Sequence, residues 1–153
     1  MSDIVAPGDK PTIRVAGLLV KDKRLLMVEQ SREGRRYWLL PGGAVTFGET
    51  LTDALRREFQ EEVGLRVGVG RLLAMVESIS PEPAYRKHVV HLVFEASAAP
   101  EALPTPEDAA VLNAAFLDQV QLQSADIRPP ITEFLSNCLR ELPSSPQYLG
   151  RRW

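Results

Sequence analysis

Residues Pro41–Leu65 read PGGAVTFGETLTDALRREFQEEVGL, a glycine-rich turn that runs into a helix whose two ends are written in the sequence. Thr50 followed three residues later by Asp53 has the spacing of a capping box, and Gly64 supplies a left-handed stop, so a helix is predicted over Leu51–Val63. At about 100° per residue, Ala54, Leu55, Phe59 and Val63 form one inward stripe, with Asp53, Arg56, Arg57 and Gln60 opposite. Glu58 and Glu62 fall inside the apolar stripe and Glu61 on its edge. Carboxylates crowded on a half-buried face repel one another, and the helix C-terminus adds a negative end, so the cluster needs cations. Only Arg57 is close by in sequence. A hard divalent cation, Mg²⁺ or Mn²⁺, suits oxygen ligands at i, i+3 and i+4, whereas zinc would favour His or Cys. The alternative is a solvated acidic patch on a loosely packed helix.

Ahead of the helix, Pro41-Gly42-Gly43 ends an apolar run and Gly48 precedes Glu49-Thr50. Glycines let backbone approach a ligand closely, and a helix N-terminus offers N–H groups to an anion. Gly43, five residues, Glu49, seven residues, then Arg57-Glu58-Phe59-Gln60-Glu61-Glu62-Val63-Gly64-Leu65 resembles the complete Nudix box, with every fixed position filled. The resemblance is close over the box and loose over the strand pattern of residues 12–142. It implies an α/β fold of the Nudix type, an α/β/α sandwich with a mixed β-sheet. It also implies Mg²⁺-dependent hydrolysis of nucleoside diphosphates linked to another moiety, without a covalent nucleophile. By position in the box, Glu58 and Glu62 resemble the principal metal ligands, Glu61 a further ligand or base, the Gly42 carbonyl a backbone ligand, and Arg57 the orienting arginine. A general base from outside the box is sought among Glu95, Glu107 and Asp108.

At 153 residues, 44% apolar and 25% charged, the composition fits one soluble domain over 1–153, with a core at 12–142 and tails at 1–11 and 143–153. A formal net charge of −2 argues against bulk nucleic acid as a partner, and no apolar run approaches the roughly 20 residues that span a bilayer. The first residues lack the basic and apolar regions of a signal peptide, and Cys138 is the single cysteine, so a cytoplasmic location is expected.

Thr12–Val20 and Arg24–Gln30 read as a hairpin across Lys21-Asp22-Lys23, and Tyr37–Leu40 as a third strand. The linker between them, residues 31–36, reads as a solvated loop, although its arginines, Arg35 and Arg36 among them, are candidates for phosphate contact, as is Arg86. Trp38 reads as core. Arg66–Ser78 and Arg86–Ala96 read as strands around a proline-marked loop, and alternation turns His88 and His91 to opposite faces, where each makes a separate polar contact. Glu101–Asp108 reads as an acidic loop and Leu112–Leu117 as a short strand. Ile131, Phe134, Leu135, Cys138, Leu139 and Leu142 have amphipathic helical spacing, which assigns Cys138 to packing.

Pro81, sixteen residues beyond Leu65, resembles the mark of the ADP-ribose pyrophosphatase branch; the shortness of the chain counts against that branch and leaves a nucleoside triphosphate pyrophosphohydrolase of the pool-sanitising kind as the alternative. A Nudix-fold module that senses a nucleotide without cleaving it is the reading from another class, disfavoured because every box glutamate is kept. An isoprenoid diphosphate isomerase would need a catalytic cysteine other than Cys138. The aromatics and arginines of residues 148–153 suggest a homodimer contact, the alternative being that they fold back on their own domain.

Overall fold

The computed structural model describes residues 9–153; residues 1–8 of the expected N-terminal tail lie outside them. Asp22 and Lys23 take positive φ values of 51° and 59°, the backbone of a tight hairpin turn, and join β2 (Val20–Lys21) to β3 (Arg24–Arg32). The first expected strand is thereby corrected. β1 (Thr12–Leu18) and β2 belong to different sheets, because Leu18 and Leu19 enter the cores on opposite sides of the molecule. β4 (Arg35–Leu39) folds back on β3 about Glu33-Gly34, so the expected solvated linker is a hairpin in which Arg32 stands opposite Arg35 and Ser31 opposite Arg36. The glycine loop likewise contains a strand, β5 (Gly42–Ala44), antiparallel to β1.

The helix α1 (Leu51–Val63) has the predicted bounds. Thr50 Oγ1 accepts the Asp53 N–H at 3.1 Å, and Gly64 closes the other end at φ 67°. Ala54, Leu55, Phe59 and Val63 are all 0% exposed, and each of the larger three contributes about 1.5–3 kcal/mol by its burial. Phe59 packs on β1 at Gly17, where a Cβ would stand 2.4 Å from Phe59 Cε2. That close approach seats the box helix on the sheet.

β6 (Gly68–Ile79), β7 (His88–Ser97), β8 (Asn113–Leu117), α2 (Gln119–Ser124), α3 (Thr132–Cys138) and β9 (Gln147–Arg151) complete the fold. One sheet runs β5-β1-β7-β6-β9, with β1 parallel to β7 and β6 parallel to β9; the other is antiparallel, with β2, β4 and β8 all paired to β3. α1 closes the core that holds Val15, Leu26 and Phe94, while α2 and α3 close the one that holds Ala16, Met27 and Val93. Helices therefore cover opposite sides of mixed β structure, as the α/β/α expectation requires.

α2, whose Asp118 and Gln121 exchange hydrogen bonds as a full capping box, is an element the apolar spacing does not reveal. The final helix stops at Cys138 instead of Leu142; Leu139, in a turn, and Leu142, in irregular chain, still pack on the core, and Pro143 disfavours helix at Leu142 before it. Residues 147–151 are no loose tail: they form β9, paired with β6 at Ala74, Met75 and Glu77. The segment folds back on its own domain, the alternative expected of it, while Tyr148 and Trp153 remain 66% and 46% exposed. Cys138 is buried, and burial pushes its thiol up to about 11, in keeping with packing. Trp38 is half-buried against the same core. Among the described residues, no helix is long and apolar enough to cross a membrane.

Candidate active site

Helix rotation places the three box glutamates as their spacing predicts. Glu62 is 6% exposed, and the side chains of Glu58 and Glu61 are 18% and 59% exposed. β5 runs across this face of α1, and the Gly42 N–H donates to Glu62 Oε1 at 3.1 Å. A Cβ at Gly43 would lie 2.3 Å from Glu58 Cδ, so any larger residue there would displace that carboxylate.

Arg57 organises the rest. Its Nε and Nη2 donate to the two oxygens of Glu49 at 3.2 and 2.6 Å, Nη1 to Glu58 at 2.8 Å and Glu61 at 3.3 Å, and Nη2 also to the Ala44 carbonyl at 3.2 Å. This fork ties the turn before α1 to the helix. The Arg57 bonds, followed by that from the Thr46 N–H, hold the Glu49 carboxyl down at about 2, and Glu49 and Glu58 raise Arg57 in return. Sequence spacing anticipates Arg57 and Glu61 at i, i+4; it does not show that Glu49 is the arginine's closest partner.

Glu62 behaves differently. Burial raises its carboxyl to about 7, with Glu58 and Asp108 adding to the rise and Arg14 and the Gly42 N–H opposing it. Arg14 is the second cation that the helix alone could not supply. It stands on β1 on the side of Ala16 and Leu18, donates to the Leu40 carbonyl at 2.9 Å, and feels both Glu62 and Glu58. An arginine on the apolar side of a strand is the same signal as a glutamate on the apolar stripe of a helix, and could have been read the same way.

Beside Arg14 opens a cavity of about 670 Å³, lined in part by Arg32, Arg35, Tyr85, Lys87, Arg152 and Trp153. Glu33, Glu82 and Asp126 also line it, Asp126 paired with Arg128, but among the described residues Arg14, Arg32, Arg35, Lys87 and Arg152 have no carboxylate ion-pair partner, so cations outnumber carboxylates and the cavity attracts anions. Of the three arginines expected to contact phosphate, only Arg35 lines it. Arg36 pairs with Glu29 at 3.7 Å and Arg86 pairs with Asp9. His88 bonds Glu77 at 3.1 Å and His91 bonds Ser78 at 3.0 Å, the separate contacts expected of them. His91 is buried beneath the cavity, its Nδ1 has no partner, and burial, then the charges of Arg14 and Lys87, lower it to about 3.

Of the candidate bases, Asp108 is the one that acts electrostatically on Glu62. Glu107 lies against Gly64 at the end of α1, and Glu95 against Gly70 in β6. Among the described residues, no three His, Cys, Asp or Glu side chains converge as a ready metal cage, because Glu58 and Glu61 are turned to Arg57. The donor set still fits a hard divalent cation: all oxygen, one carboxylate held buried, and a second standing in space that only glycine at position 43 leaves open.

Residues 10–138 match the NUDIX domain, and the chain belongs to the Nudix family, whose members use divalent metal ions. It is 36% identical over 85 residues to an ADP-ribose pyrophosphatase of Methanocaldococcus jannaschii, covering 55% of this chain and 49% of that protein. It is 44% identical over 57 residues to a human 8-oxo-dGDP phosphatase, covering 37% and 18%. The chain thus spans about half or less of the length of these curated relatives. A Nudix hydrolase from Nitrosomonas europaea superposes with a TM-score of 0.72 at 20% identity, over 84% of this chain and 87% of that one, a likeness of fold.

Proposed function

We propose that the protein is a Mg²⁺- or Mn²⁺-dependent hydrolase that cleaves the pyrophosphate linkage of a nucleoside diphosphate joined to another moiety, such as ADP-ribose or a sugar nucleotide. The observation that carries this reading is the juxtaposition, across Arg14, of the Glu58–Glu61–Glu62 cluster with a large cavity rich in unpaired cations. Oxygens of Glu58, Glu61 and Glu62, with the Gly42 carbonyl, would hold the metal, which when bound neutralises charge on phosphoryl oxygens. Arg57 fixes the two more exposed carboxylates relative to Glu49 and β5. Arg14, and Arg35 further out, draw the substrate's phosphates toward the box. Asp108 is the best placed of the outside candidates to take a proton from water. We place the enzyme in the cytoplasm, with a small nucleotide as its partner.

Pro81 adds support for the ADP-ribose side, since Ser80, Glu82, Tyr85 and Lys87 of its loop line the cavity, and the archaeal relative is named for that activity. The human relative, a phosphatase of 8-oxo-dGDP, favours the second reading, a pool-sanitising nucleotide pyrophosphohydrolase. A phosphate-release screen with Mg²⁺ over ADP-ribose, sugar nucleotides, dinucleoside polyphosphates and (d)NTPs separates them. ADP-ribose or a sugar nucleotide leading the screen supports the first, a (d)NTP leading it the second, and no hydrolysis of any would refute both.

A further inference from the structure

The cavity has a wall that the box does not provide. β9 returns along β6 and brings residues 151–153 over the loop that joins β6 to β7. They are pinned there: the Arg152 N–H donates to the Glu77 carbonyl at 2.8 Å, and the Arg151 guanidinium to the Ile79 carbonyl at 3.1 and 3.3 Å. The pinning delivers Trp153 to Tyr85, ring centroids 6.0 Å apart at 64°. Arg32 stands 4.9 Å from the Tyr85 ring and Lys87 5.8 Å from the Trp153 ring. Trp153 nevertheless remains 46% exposed. Two aromatic rings bracketed by cations, half open at the side of a cavity, leave π-surface uncovered where a planar heteroaromatic ring with an anionic tail would cover it.

We propose that Tyr85 and Trp153 form the nucleobase subsite, so that the C-terminal strand selects the substrate while helix α1 acts on it. The inference rests on the reading of the cavity as a nucleotide site, and not on hydrolysis. The base stacks on Trp153 or Tyr85, Arg32 and Lys87 sit over the rings' other surfaces, and the phosphates extend toward Arg14. About 670 Å³ is within the size range of pockets that enclose a nucleotide-sized ligand. These two residues lie 68 positions apart in sequence (153 − 85), and neither belongs to the box.

The experiment is equilibrium binding without added metal, in chelator, of AMP, GMP, CMP and UMP, with ribose 5-phosphate as the probe that lacks a base. Trp38→Phe leaves Trp153 as the only tryptophan reporter, since the chain has two. The expected result is that at least one monophosphate changes Trp153 emission and binds about tenfold more weakly to Trp153→Ala and Tyr85→Ala, the order lost with one stacking contact. Ribose 5-phosphate should bind all variants alike. On whichever nucleotide is hydrolysed, the same variants should raise KM with kcat retained. Equal binding of every monophosphate to wild type and to a folded Trp153→Ala variant would overturn the proposal, as would no binding of any to wild type. If binding depends on Trp153 but nothing is hydrolysed, the subsite stands and the hydrolase reading falls; if hydrolysis is strong and KM is indifferent to both variants, the reverse holds.

Discussion

Glu58, Glu61 and Glu62 come from five consecutive residues of one helix, and Glu58 and Glu61 share Arg57, whereas the cavity beside them takes its cations from β1, β3, β4, the loop before β7 and the segment after β9. The acidic half is held mostly by near neighbours: Arg57 pairs with Glu58 and Glu61, the Gly42 amide donates to Glu62, and Arg14 adds its charge from β1. In the basic half, five cations face one space without carboxylate partners among the described residues, which costs stability unless an anion fills it. On the proposed function, a site so divided would separate its labours: the helix would bear on the reacting bond, and the scattered cations on affinity.

The sharpest way to break that division is to remove a carboxylate. Glu58→Gln and Glu62→Gln are each expected to lower kcat by on the order of 10²-fold or more while circular dichroism stays that of the wild type. Near-normal turnover by either variant on the substrate identified in the screen would end the assignment. In the basic half, Arg14→Gln and Arg35→Gln should instead raise KM, by about tenfold for a lost charge-assisted contact, while Arg36→Gln, whose partner is Glu29, should leave both constants alone. A fall in kcat without change in KM for Arg35→Gln would place it with the helix.

Metal should act on the acidic half alone. Millimolar Mg²⁺ or Mn²⁺ is expected to raise the melting temperature by several degrees, as binding at roughly 100 times Kd contributes about 2.7 kcal/mol, and Glu62→Gln should shrink the rise. A melting curve indifferent to metal, with activity indifferent to chelator, would count against the site.

The same division explains what could be read without a structure. The acidic half was legible because its residues share one helix, where Thr50, Gly64 and the apolar stripe fix the rotation of every side chain between them. The cavity was not, because Arg14, Lys87 and Trp153 meet only through strand pairings between β1 and β7, β7 and β6, and β6 and β9. β9 is a case in point: Gln147–Arg151 carries no alternation of its own and becomes a strand by lying along β6, whose edge would otherwise be open. Similarly, the break at Leu19 is invisible in a run where neighbouring residues are apolar on both sides, and α2, a six-residue helix, is too short to show a period.

The smallest effect tests the two buried titratable groups at the boundary between the halves, Glu62 and His91. Glu62 has a folded value of about 7 against an ordinary 4.5, so its contribution is fully present below 4.5 and is lost as pH rises toward 7. His91 has a folded value of about 3 against 6.5, so its contribution is present above 6.5 and is lost as pH falls toward 3. Between about 4.5 and 6.5 the unfolded chain holds one more proton at His91 and one fewer at Glu62, and the two slopes, each about 1.4 kcal/mol per pH unit, oppose each other. In chelator, the wild type should therefore show a nearly level contribution from this pair across that window. Glu62→Gln removes one slope and should make the protein lose stability as pH falls from 6.5 to 4.5; His91→Gln removes the other and should make it gain stability over the same fall. Urea unfolding at intervals of half a pH unit measures both. Parallel curves for the two variants would mean that these groups do not titrate in opposition, and that the buried boundary between carboxylates and cations is solvated in the folded protein.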